Sequence, residues 1–138
     1  MTLLQFHLIL VSFWFGLWAA ESVLELCARD IGALRMVAIV HGWIDVLFEG
    51  PVTIAVLFTG ALLLARIWPA TPIQLIHAGL GVVPVLVNLI CTGWVLARRH
   101  ERDETRMRQL TLKVKLSGLG IPVGMAAYFV GLVYLPGH

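Results

Sequence analysis

The sequence predicts an all-α integral membrane protein: one four-helix transmembrane bundle over residues 1–138, with both termini on the outer side. Three observations lead there. The chain is 59% hydrophobic and 13% charged, with a mean hydropathy of +0.91, outside the range of an ordinary soluble domain. Its apolar residues fall into four segments, about 3–27, 36–66, 73–97 and 112–135, each long enough for the roughly 20 residues that a bilayer crossing takes. Nine of the ten Lys and Arg residues gather in two connections: Arg29 and Arg35 in the first, and Arg98, Arg99, Arg102, Arg106, Arg108, Lys113 and Lys115 in and beside the third. The second connection holds only Arg66. By the positive-inside rule both basic connections are cytoplasmic, so residues 98–111 form a basic inner loop in what is expected to be a bacterial cytoplasmic membrane.

Each segment carries a stripe of residues that hydrocarbon does not favour. In the first, His7, Trp14, Trp18, Glu21 and Glu25 share one helical face, and the other faces are Leu, Ile, Val and Phe. This segment lacks a basic start and a small-residue cleavage site, so it reads as a retained helix rather than a removed signal. Ala28–Leu34 reads as a short connection. The second segment holds His41, Asp45 and Glu49 at i, i+4 and i+8, followed by Gly50-Pro51 and the uncharged run Val52–Ala65. It is longer than a crossing needs, and Pro51 predicts a kink there, because proline removes a helical hydrogen bond and crowds the preceding turn.

Trp68, Pro69 and Pro72 mark a tight interfacial connection into the third segment, whose stripe is His77, Gly81, Pro84, Asn88 and Cys91. In the fourth, Gly120, Gly124 and Gly131 form a small-residue face for close helix packing. Cys27 and Cys91 show no paired spacing and read as buried packing thiols. His100 and His138 read as solvent-exposed.

The topology sorts the ionisable residues into two layers. Glu21, Glu25, His41, Asp45 and Glu49 converge toward the basic side. An ionisable group in hydrocarbon costs roughly 2.5–3.5 kcal/mol, so such a cluster is expected to do chemistry. Carboxylates and imidazole at helical spacing ligate divalent metals in helical bundles, and His41, Asp45, Glu21 and Glu25 are the candidate ligands. Asp45 and Glu49 are the candidates for catalytic proton transfer, since crowded carboxylates exchange protons. The plainer reading makes Glu25 and His41 a wet cap, with Asp45 paired to Arg29 or Arg35. The outer layer is His7 and His77, which at matched depth suit the two axial positions of a haem iron, with Trp14 and Trp18 as aromatic walls.

Phosphate-binding loops and the G-x-S-x-G nucleophile elbow are absent from the sequence. The basic run is interleaved with acids and lies between membrane helices. It suits anionic lipid headgroups, and nucleic acid is not an expected partner.

Phe6-His7-Leu8-Ile9-Leu10-Val11-Ser12-Phe13-Trp14-Phe15-Gly16, Leu75-Ile76-His77-Ala78-Gly79-Leu80 and the basic third connection together resemble the small four-helix membrane proteins of the HemJ-type protoporphyrinogen oxidase and CopD-like group. Gly79 stands where that pattern has a lysine, and its Asn-Glu-x-Pro opening of the fourth helix is absent. The resemblance implies haem b or a porphyrin at His7 and His77, with redox or electron-transfer activity. The residues themselves leave two alternatives open. One is a proton- or divalent-metal-coupled carrier built on the inner cluster, and the other a structural subunit whose stripes are buried against membrane partners or a second copy.

Overall fold

A computed structural model describes residues 1–134. Four transmembrane-length helices run up, down, up and down. The first is α1 (Leu3–Cys27); the second is α2 (Ile31–Ile44) joined through a single π-helical turn, Asp45–Glu49, to α3 (Gly50–Arg66); the third is α4 (Pro72–Arg99); the fourth is α5 (Glu104–Ser117) followed by α6 (Gly120–Tyr134). All four spans are long and apolar enough to cross a membrane. The build is that of an integral membrane protein. Side chains are sorted accordingly: Phe13, Ile54, Phe58, Leu89, Ile90 and Phe129 lie exposed, while Glu21, Glu25, His41, Asp45, Glu49 and Arg98 are buried. A chain folding in water would do the reverse.

Local chemistry explains the ends. Thr2 and Gln5 cap α1 reciprocally, with the Thr2 N–H donating to Gln5 Oε1 (2.9 Å) and the Gln5 N–H to Thr2 Oγ1 (3.2 Å). Asp30 Oδ1 accepts from the Ala33 N–H (2.9 Å) and starts α2 at Ile31, so the expected connection Ala28–Leu34 shortens to three residues and Leu34 is already core. The expected loop 98–111 is also mostly helix. Arg98 and Arg99 finish α4, and Asp103 Oδ1 caps α5 by accepting from the Arg106 N–H (2.8 Å). An i,i+4 pair, Glu104–Arg108 at 2.7 Å, and the inward spacing of Met107, Thr111 and Val114 support that first turn. The basic end of the bundle is therefore two helix ends around a short turn.

Two breaks shape the interior. At Gly118–Leu119 the fourth helix tightens, with the Ile121 N–H bonding the Gly118 carbonyl (3.1 Å), because Pro122 has no N–H to offer it. At Asp45–Glu49 the kink expected from Pro51 takes the form of a wide turn, in which the Gly50 N–H reaches back to the Asp45 carbonyl. A Cβ on residue 50 would stand 3.0 Å from that carbonyl oxygen, so glycine fits the turn and a larger residue crowds it.

The predicted glycine face packs closely. A Cβ at Gly120 would meet Trp18 and Val87 at 3.0 Å, and one at Gly124 would meet Phe15 at 2.8 Å. Cys91 is buried beside the Ser117 hydroxyl (2.9 Å), whereas Cys27 is exposed at the end of α1 and does not pack. His100 is exposed, and Leu135 and His138 lie outside the described residues.

Candidate metal centre

The polar stripes of α1 and of the α2–α3 helix meet on the bundle axis, toward the basic end. Antiparallel packing brings His41 beside Glu25 and Glu49 beside Trp14. The wide turn matters here. Four-residue steps on an α-helix drift about 40° each, which would carry Asp45, Glu49 and Thr53 progressively off the core face. One π-helical turn takes back part of that drift, and His41, Asp45, Glu49 and Thr53 all remain buried.

Glu21, His41, Asp45 and Glu49 each offer a ligand atom, and these four atoms lie within 4.8 Å of one another. Two donors facing each other across a small divalent cation, at about 2.1 Å each, stand about 4.2 Å apart. Both carboxylate oxygens of Glu21 and both of Asp45 are buried without a hydrogen-bond partner among the described residues. Glu49 Oε1 accepts from the Trp14 indole N–H (3.1 Å).

Glu25 stands outside this set of four because its oxygens are otherwise engaged. Arg98 donates to Oε2 (2.8 Å) and also to Oε1, and Arg98 Nη1 lies 3.3 Å from Thr111 Oγ1. Glu25 Oε1 sits 2.7 Å from His41 Nδ1, so that nitrogen carries a proton and donates it. Nε2 faces inward, 3.4 Å from Glu21 and 3.6 Å from Asp45. A carboxylate holding the far nitrogen of an inward-facing imidazole is the usual outer shell of a metal-bound histidine.

Asp45 pairs with neither Arg29 nor Arg35, and Glu25 and His41 are buried rather than wet. The cation that Glu25 pairs with is Arg98, which a loop assignment of residues 98–111 hides. Extending the stripe His77, Pro84, Cys91 by one more heptad step does reach Arg98. Trp14 and Trp18 stack on each other, centroids 5.5 Å apart and nearly parallel, and the Trp14 indole serves Glu49. Both tryptophans thus border the acidic cluster.

The outer histidines are anchored separately. His7 Nδ1 lies 2.7 Å from Thr59 Oγ1, and the Thr59 hydroxyl is itself directed at the Ala55 carbonyl (2.7 Å), so the imidazole is the donor. His77 Nδ1 donates to the Ala127 carbonyl (2.9 Å). Deeper in, Asn88 Nδ2 donates to Thr53 Oγ1 (3.1 Å) between α4 and α3.

Compared with known proteins, the chain matches no family model, no curated protein and no solved structure.

Proposed function

We propose that this integral membrane protein holds a first-row divalent cation inside the bilayer, ligated by the carboxylates of Glu21, Asp45 and Glu49 and by His41 Nε2. The observation that carries this is the convergence of four buried donors, two of them carboxylates with neither oxygen hydrogen-bonded among the described residues. Glu25 and Arg98 neutralise each other, so three carboxylates remain buried around the single imidazole of His41, more negative charge than one imidazole can offset. Uncompensated charge of that kind costs several kcal/mol per ion, and a divalent cation removes most of it. Three oxygens and one imidazole nitrogen suit Mn2+, Fe2+ or Zn2+ better than a thiolate-seeking metal. Detergent-purified protein should bind Mn2+ in an EPR titration, and Asp45→Asn should lose it. A protein that takes up none of Mn2+, Fe2+ or Zn2+ rules the reading out.

A second reading keeps a haem or porphyrin at His7 and His77, as the family resemblance implies. Its support is that both imidazoles are fixed through Nδ1, which leaves Nε2, the usual axial donor, unengaged. Haem added to the purified protein should then give a b-type spectrum that His7→Ala weakens. The basic end faces the cytoplasm in this proposal, with exposed Arg106 and Arg108 near anionic headgroups of a bacterial cytoplasmic membrane.

A further inference from the structure

Resting on that metal reading, we infer that the chain carries the cation across the bilayer, and that this structure is the form open toward its basic end. Polar side chains continue beyond the metal centre along the same buried face. Below Glu49 come Thr53 and Asn88, hydrogen-bonded to each other, and then Thr59 bonded to His7, with His77 at the same end of the bundle. With Arg98 and Glu25 at the opposite end, this file runs nearly the length of the helices. A static site deep in the bundle would need only its own ligands. Buried Thr, Asn and His beyond it supply successive oxygens and nitrogens to an ion that moves on.

The file is interrupted once. Between Thr53 and Thr59, about 9 Å of helix, the interior is closed by the packed cluster of Trp14, Val56 and Val85, with Leu10, Val11 and Val52 against it. An apolar constriction without polar partners excludes a hydrated cation. Toward the basic end the packing is more open: between α1 and the fourth helix a cavity of about 200 Å³ reaches Glu21, Glu25 and His41, its lining running from Trp18 and Ile121 to the exposed Leu26 and the half-buried Lys115. One side is thus reachable and the other shut, as alternating access requires.

The helices are broken where such a switch needs freedom. The π-helical turn itself holds Asp45 and Glu49, Pro51 stands between them and Val56, Pro84 directly precedes Val85, and the Gly118–Leu119 break borders the cavity. Each break removes hydrogen bonds that would otherwise hold a helix straight.

The test pairs two measurements on the full chain: Mn2+ binding in detergent by EPR, and Mn2+ uptake into proteoliposomes by quenching of an encapsulated dye. The expected result is that wild type binds and transports, and that Asp45→Asn loses both. Val56→Phe and the near-isosteric Thr59→Val should keep binding and lose most uptake. Val56→Phe thickens the closed layer, whereas Thr59→Val removes a polar step beyond it without enlarging anything. Binding without uptake in wild type would overturn the carrier and leave the metal site standing. Absence of Mn2+ binding would overturn both. Unchanged uptake in both variants would overturn the route through Val56.

Discussion

Arg98 shows how one residue sets the state of the whole centre. It is fully buried, its guanidinium grips both oxygens of Glu25, and Glu25 in turn fixes which nitrogen of His41 faces the ligands. Replacing Arg98 by methionine strands a buried carboxylate, which should cost about 3–5 kcal/mol. Replacing both partners, Glu25→Gln with Arg98→Met, leaves no stranded charge and should recover most of that loss. The double variant should still bind Mn2+ about 10–100-fold more weakly, because the carboxylate holding His41 Nδ1 is gone. Denaturation and Mn2+ titration on the two proteins decide the matter. A double variant as unstable as Arg98→Met, or one with unimpaired affinity, contradicts this account of Glu25.

Among the elements, the wide turn is the one whose form is tied to the proposed chemistry. Pro51 cannot donate, and in an α-helix its ring would crowd the Leu47 carbonyl; the turn relieves this by sending the Gly50 N–H to the Asp45 carbonyl instead. Pro51→Ala restores a donor and lets ordinary helix compete. The expected outcome is separation of stability from function: thermal stability in detergent is kept or raised, while Mn2+ affinity drops as Glu49 turns away from Asp45 and Trp14. Affinity that survives the substitution would mean that the turn does not position Glu49. The fourth helix depends on shape instead. Gly120 lies against Trp18 and Val87, and Trp18 is held by its stack on Trp14, so Gly120→Leu has nowhere to expand and should destabilise by about 1–3 kcal/mol.

At the scale of the molecule, the charges lie at one end. The turns that follow α1 and α4 sit together, since Glu25 and Arg98 meet just inside them, and the Arg66 end lies opposite. Arg98 itself belongs to the interior, and the exposed Arg and Lys that remain at that end carry the proposed orientation, with that end in the cytoplasm. With Cys27 replaced by serine, Thr71→Cys should react with an impermeant thiol reagent in intact cells, and Thr105→Cys only after permeabilisation. The reverse pattern would invert the bundle and with it the direction of opening inferred for the cavity.

Several of these features were legible in the sequence and others were not. Four spans, the polar stripes, the small-residue face of the fourth helix and the convergence of Glu21, His41, Asp45 and Glu49 all follow from periodicity. In hydrocarbon, every unfavourable side chain must turn to the same interior, and helical spacing says which ones do. Capping chemistry is also local: Asp30 and Asp103 start their helices inside stretches whose charge alone suggests longer connections. What only the tertiary structure decided is who meets whom across the bundle. Arg98 looked like the first residue of a solvated basic loop, and it becomes the partner of Glu25 because α4 runs two residues further and lies beside α1. Trp14 serves Glu49, and Thr53 meets Asn88, through contacts between residues 35 positions apart. Periodicity fixes the face a side chain takes on its own helix. The partner across the bundle depends on the axial register between helices, which close packing at Gly120 and Gly124 and the wide turn at Asp45–Glu49 set together.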